Sequence, residues 1–266
     1  MNLRVRPRGN SGRVLHITPE SAHWTYVGFD LYRLADGETA KAETGGREVC
    51  LVFVSGKGKV SAGGRDFGII GERLSPFAGM PHSVYVSAGS RWSVTASGPC
   101  ELAVCSAPGG TGGLPARLIG PGDVSQETRG KGTNTRYVTN ILPEDRPADS
   151  LLVVEVITPG GHTSSYPPHK HDRNDLPRES LLEETYYHRI NPPQGFAFQR
   201  VYTDDRSLDE AIVIEDGDVV LVPRGYHPVA ATHGYDLYYL NVMAGPVRTW
   251  KFHNAAEHAW MLAPAK

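Results

Sequence analysis

The stretch SSYPPHKHD, residues 164–172, decides how the rest of this sequence is read. Its histidines, His169 and His171, stand at i and i+2, so on an extended strand both imidazoles point to one face and Lys170 faces away. Two ring nitrogens then converge on one point, which is the geometry a metal ion needs. Downstream, ETYYHRINP (184–192) opens on Glu184, and GDVVLVPRGYH (217–227) closes on His227. There a strand stops at Pro223, and a turn at Gly225 aims the imidazole back toward the first pair. Imidazole nitrogen and carboxylate oxygen together suit a divalent Zn, Mn, Fe or Ni ion, and the carboxylate balances part of its charge. The candidate metal set is therefore His169, His171, Glu184 and His227. Twelve residues separate His171 from Glu184, which leaves Glu179 and Glu183 as rival carboxylates. Strand parity favours Glu184, since it puts Tyr186 and His188 on its own face and turns Glu183 outward.

Around this constellation the chain reads as all-β. Thirty Gly and 20 Pro are spread through 266 residues and punctuate short apolar runs such as Val49–Val54, Leu151–Ile157 and Leu237–Val242. The length allows one large unit or two domains of about 130 residues each. The segment Gly109–Thr135, with GGTGG and RGKGTNT, is poor in large apolar residues and reads as a linker or mobile connection. Charge is nearly balanced, 27 basic against 29 acidic residues, with no basic run to follow a phosphate backbone, so nucleic acid is not an expected partner. The apolar runs are too short to span a membrane, and MNLRVRPRGN has no apolar signal core, so the expectation is an unprocessed cytoplasmic protein. Three scattered cysteines, Cys50, Cys100 and Cys105, read as core residues rather than a disulfide scaffold.

The two halves echo each other in spacing. Glu48 opens EVCLVFVSG 136 residues before Glu184, and Gly89 precedes Gly225 by the same 136. The first half has no HxH before Glu48 and places Arg91 opposite His227. The expected organisation is a degenerate barrel over residues 1–120 and a metal-binding barrel over residues 121–266.

An HxH, a glutamate heading an aromatic strand, then a glycine, five residues and PxG with a histidine together resemble the paired motifs of the cupin superfamily. That resemblance implies two double-stranded β-helix (jelly-roll) barrels in one chain. Two departures stand out: most cupins have a far shorter spacer before the glutamate, and the last motif reads PxGxH instead of PxGxxH. Longer stretches, among them LEETYYHRINPPQGFAFQRVYTDD and WKFHNAAEHAW, are similar to the 5-deoxy-glucuronate isomerases of myo-inositol catabolism, relatives of the uronate ketol-isomerases. The match runs from about residue 134 to 260. It implies conversion of 5-deoxy-D-glucuronate to 5-dehydro-2-deoxy-D-gluconate without a redox cofactor. A homo-oligomer is a further family-based expectation.

The residues suit that chemistry. An ion held by three histidines and one carboxylate keeps open positions for an aldehyde oxygen and the neighbouring hydroxyl, and a base then moves the adjacent carbon's proton. His188 is the candidate base, with an ordinary pKa of about 6.5, and Tyr186 is an equally placed hydroxyl donor. Arg200 is the candidate cation for the substrate's carboxylate. The competing readings are a strand-bound His188, a core Tyr186 and an Arg200 paired with nearby acids. The insertion DRNDLPRESLLE (172–183) reads as a rim or lid, or as a plain hairpin. His162 is a loop residue or a supporting neighbour of the site, whereas His16, His23 and His82 read as structural. Trp250 and Trp260 are expected to pack a C-terminal segment over a barrel or against another subunit. The functional alternatives are a non-catalytic sugar-binding or regulatory cupin, another uronate ketol-isomerase and an iron-dependent oxygenase.

Overall fold

Side-chain alternation along the strands sorts the apolar residues into three main clusters. On the Arg47–Ser55 strand, Val49, Leu51 and Phe53 point to one side while Cys50, Val52 and Val54 point to the other. On Glu183–Asn191, Tyr186 and Ile190 oppose Tyr187 in the same way. Strands apolar on both faces must be covered on both, and two barrels placed sheet to sheet achieve this. The computed structural model, which describes residues 2–110 and 113–262, has that arrangement.

A six-stranded sheet runs in the order Arg117–Ile119, His82–Val86, Arg47–Ser55, Cys100–Pro108, Gly28–Leu34, Gly12–Ile17. A seven-stranded sheet runs Arg4–Val5, Val219–Val222, Glu183–Asn191, Asp236–Ala244, Leu152–Thr158, Arg136–Leu142, Ser125–Arg129. Each packs against its own four-stranded sheet, and the two large sheets face each other across the third cluster, where Phe29 stacks on Tyr187 at 5.7 Å. Cys50 and Cys105 lie in this central cluster and Cys100 in the first barrel's core, all buried and unpaired. Among the described residues no helix is long and apolar enough to cross a membrane.

One short strand ties the halves together, and another closes the first sheet. Arg4–Val5 pairs with Val219–Val220 at the edge of the second large sheet, and Leu3 enters that barrel's core, so residues 3–5 cross the division drawn from the sequence. Arg117–Ile119 pairs with His82–Val86 of the first sheet. The segment read as a linker is therefore ordered where it is described: it contributes Arg117–Ile119 to one sheet and Ser125–Arg129 to the other. Edge strands gain ladder hydrogen bonds without large apolar side chains, which is why composition misread them. Thr111 and Gly112 lie outside the described residues.

Two buried carboxylates clamp the sheets. Glu48 accepts the backbone N–H groups of Asp149 (2.8 Å), Ser150 (2.6 Å) and Leu151 (2.6 Å), plus the Tyr85 hydroxyl at 2.6 Å. Glu183 accepts those of Thr25 (2.6 Å), Tyr26 (2.6 Å) and Val27 (3.0 Å). Each half thus holds the other by the same device, and the counterpart of Glu48 is Glu183, not Glu184. A one-residue slip exchanges the faces of a strand, so an offset of 136 matched a clamp with an inward-facing residue. Arg73 and Glu155 add a buried bidentate pair with both contacts at 2.8 Å. Removing a buried carboxylate from three N–H donors, one of them fully buried, costs more than an ordinary hydrogen bond, so Glu48→Gln and Glu183→Gln are each expected to lower stability by about 2–4 kcal/mol. Urea unfolding measures this, and an unchanged midpoint in both variants would show that the clamps add no net stability.

Candidate metal centre

Three donors converge inside the second barrel. His171, Glu184 and His227 each place one ligand atom within 4.8 Å of the other two, and all three side chains are buried. His171 Nε2 lies 3.0 Å and His227 Nε2 3.3 Å from the same oxygen, Glu184 Oε2. The opposite ring nitrogens fix the tautomers. His171 Nδ1 donates to the Leu182 carbonyl at 3.0 Å, and His227 Nδ1 donates to the Gly225 carbonyl at 2.9 Å. Carbonyls only accept, so each Nδ1 carries the hydrogen and each Nε2 turns a lone pair toward a carboxylate oxygen. His227 Nε2 has no hydrogen-bond partner. Electron pairs facing one another at this distance repel unless a cation or an extra proton lies between them. His171 expresses the same need: burial pulls its pKa down, but the hydrogen bond and charge of Glu184 more than reverse that and raise it. His227, buried without such a bond, is pushed down to about 4.

The turn geometry explains how His227 arrives despite the shortened PxGxH motif. Gly225 takes φ +89, and a Cβ there would press on the Tyr202 carbonyl, so only glycine allows this close approach. His169 lies beside these three donors. Its ring lies 4.9 Å from that of His227 and 6.3 Å from that of His171, and it packs on Phe252 at 4.6 Å. Burial first, then the neighbouring histidines and Arg136, hold its pKa well below the usual range. Phe252 belongs to the C-terminal segment, whose His253–Asn254 pairs with His169–Lys170. That segment closes over the barrel mouth as the tryptophans suggested: Trp250 packs against the second core, although Trp260 stays 72% exposed.

The rival carboxylates are occupied elsewhere. Glu183 is the clamp described above, and Glu179 accepts the Asp172 N–H at 2.8 Å within the hairpin of Asp172–Asp175 and Glu179–Leu181. This hairpin is the insertion, and Ser180 bonds it to Lys251 of the C-terminal segment. Tyr186 and His188 share the inward face with Glu184, their rings 5.9 Å apart. Tyr186 meets Ser165 Oγ at 3.0 Å, and burial together with the charge of Glu184 holds its hydroxyl protonated. His188 Nε2 donates to Gln199 Oε1 at 3.2 Å, and Gln199 Nε2 donates to the His227 carbonyl at 3.4 Å. His188 Nδ1 has no hydrogen-bond partner.

Arg200 departs from expectation. On Ala197–Tyr202 the inward positions are Ala197, Gln199 and Val201, so Arg200 faces outward and forms a bidentate pair with Asp209, both contacts at 2.7 Å. Its pairing with a nearby acid removes it from the interior. Gln199 takes the inward place instead, legible from the alternation around Phe198 and Arg200 but easily passed over as an uncharged residue. Tyr239, bonded to Ser164 and 4.9 Å from Tyr186, also lines the interior and was missed among the apolar residues of its strand. His162 donates to the Thr135 carbonyl at 2.9 Å, away from the three donors.

The KduI/IolB family model matches residues 3–261. The chain belongs to that family. It is 58% identical over 252 residues to a 5-deoxy-glucuronate isomerase of Geobacillus kaustophilus, covering 94% of this chain and 91% of that protein. The crystal structure of an IolB-like protein from Salmonella typhimurium superposes with a TM-score of 0.97 at 54% identity, over 99% of this chain and 100% of that one. The oxalate decarboxylase of Lactobacillus farciminis shares the two-cupin fold alone, with a TM-score of 0.68 at 15% identity over 99% of this chain and 91% of that one.

Burial pushes the pKa of His188 down to about 3, against an ordinary histidine value near 6.5. The unfolded chain therefore takes up this proton first, and His188 removes stability as pH falls from about 6.5 toward 3, with no such loss above that window. Nitrogen-15 spectra of the imidazoles should show His188 as the neutral Nε2–H tautomer at pH 5; a doubly protonated ring at that pH would contradict the buried geometry.

Proposed function

We propose that this chain is a metal-dependent aldose-ketose isomerase that converts 5-deoxy-D-glucuronate to 5-dehydro-2-deoxy-D-gluconate in myo-inositol degradation. The observation that carries the reading is the pair of imidazole Nε2 lone pairs trained on Glu184 Oε2, in a family whose similar members bear that isomerase name. The donor set fits a divalent ion such as Zn, Mn, Fe or Ni, with His171, Glu184 and His227 as its core and His169 as the fourth ligand. When bound, such an ion supplies Lewis-acid polarisation of an aldehyde oxygen, which acidifies the adjacent C–H. Residues 121–266 carry this chemistry. The first barrel, from Gly12 to Ile119 among the described residues, is the structural one, and its interior is apolar, with Val49, Leu51, Phe53 and Trp92 buried there.

The remaining steps fall to protein groups. A proton must leave the hydroxyl-bearing carbon and return to the former aldehyde carbon. His188 is neutral at pH 7, with Gln199 fixing its hydrogen on Nε2, so Nδ1 is the free acceptor. Its low basicity limits the driving force it supplies. Tyr186 complements it as a hydroxyl that keeps its proton and donates to a substrate oxygen. Gln199 couples the two functions, since it bonds both His188 and the backbone of His227.

Purified protein is expected to hold one divalent ion per chain by elemental analysis, and His171→Ala and His227→Ala to lose it. Incubation with 5-deoxy-D-glucuronate should produce a ketone signal in carbon-13 NMR. Full metal occupancy without ketone would replace the reading with a sugar-acid-binding protein. His188→Gln should keep the metal and lose roughly 100-fold or more in kcat; activity within a factor of about two of the parent would remove His188 as the base and leave Tyr186.

A further inference from the structure

The Arg136–Leu142 strand crosses the second barrel beside Leu152–Thr158, and Val138 on it points into that barrel's core. Arg136 shares the face of Val138, so a half-buried guanidinium looks toward the same interior as Tyr186 and Tyr239. Its charge acts on His169, Tyr186 and Tyr239. Among the other buried or half-buried arginines, Arg73 meets Glu155 and Arg189 meets Glu101 and Asp216, whereas Arg47 and Arg248 are each held by several carbonyl or hydroxyl oxygens of distant segments. Among the described residues Arg136 bonds only neutral acceptors, the Asn134 carbonyl at 3.1 Å and Asn134 Oδ1 at 3.3 Å.

A second observation points the same way. In the ladder between Ser125–Arg129 and Arg136–Leu142, Arg129 lies directly opposite Arg136. Like charges on facing positions of a sheet repel. Glu127 contacts Arg129 at 2.5 Å, and the Arg129 guanidinium lies 5.1 Å from the ring centre of Trp250, so Arg129 has direct partners for its charge, whereas Glu127 acts on Arg136 only through its field. The surrounding loop is shaped to hold it. Asn134 is anchored by its Nδ2 donating to the Tyr166 carbonyl at 3.0 Å and by the Thr163 hydroxyl at 3.2 Å. Gly130 takes φ +83, and a Cβ there would strike the Asn134 carbonyl and stand 2.8 Å from Arg136 Nη1. The cation is thus placed before any ligand arrives, which lowers the ordering cost of binding.

We propose that Arg136, backed by Arg129, receives the carboxylate of the sugar acid at the mouth of the second barrel and so selects acids over neutral sugars. This rests on reading the site as one for a sugar acid, and it reassigns to Arg136 the role expected of Arg200. A guanidinium fork binds a carboxylate through two parallel N–H···O bonds, leaving the far end of the sugar free to reach His171, Glu184 and His227.

The test uses metal-loaded protein and two probes, D-glucuronate and D-glucose, with binding read by calorimetry and thermal melting monitored for each variant. The parent is expected to prefer glucuronate, and Arg136→Gln to weaken glucuronate roughly 10- to 100-fold while leaving glucose and metal content unchanged. Arg136→Lys keeps the charge but not the fork and should fall between them. With 5-deoxy-D-glucuronate as substrate, Arg136→Gln should act mainly through KM. Equal weakening of both sugars, or unchanged glucuronate binding, would overturn the proposal. A parent that prefers glucuronate, loses the preference with Arg136→Gln and still forms no ketone would sink the isomerase reading while sustaining Arg136.

Discussion

Everything in this molecule is hung on two buried glutamates that bind the backbone of the opposite half. Glu48 and Glu183 each gather three N–H groups from a segment entering the other barrel, and in doing so fix how the large sheets sit face to face. A carboxylate has acceptor sites enough for all three donors, and burial makes that match obligatory. Once the sheets are set, the register of Glu183–Asn191 is set, and with it which residues look inward.

The consequence appears at the next residue. Glu183 faces the other barrel and holds it, and Glu184 faces inward and meets two imidazoles. Adjacent glutamates serve opposite purposes because the strand turns alternate side chains to opposite faces. In the first barrel, the residue after the clamp is Val49, in an apolar core. One barrel holds an inward carboxylate with histidines around it, whereas the other holds hydrocarbon in its interior.

The sequence revealed the site where chemistry and period coincided. HxH on a strand, a glutamate on an aromatic strand and a histidine behind a glycine turn are local patterns, so the convergence of His171, Glu184 and His227 was legible, as was the shared face of Tyr186 and His188. His169 obeys the same pattern but packs on Phe252, a contact with a segment some eighty residues away that no local rule contains. Arg200 looked suitable as a cation, and only the observed alternation with Gln199 and the cross-strand Asp209 show that it faces out. Arg136 carries no local mark, because its place on the inward face beside Val138 emerges only once the strand is packed. The duplicated fold was readable from spacing, but the faces were not: an even offset of 136 paired Glu48 with the wrong member of a Glu-Glu doublet.

The edge strands carry a meaning beyond topology. Arg4–Val5 completes the sheet of the second barrel, while Arg117–Ile119, which comes just before the second half begins, completes the sheet of the first. The first half therefore lends its opening strand to the second and closes its own sheet with its last strand. Melting the first barrel's opening segment would strip an edge from the second, and the clamps of Glu48 and Glu183 join the halves in both directions. The half that holds His171, Glu184 and His227 packs against its apolar twin, and that shared core offsets the buried, repelling lone pairs that stand where a hydrocarbon core would otherwise be.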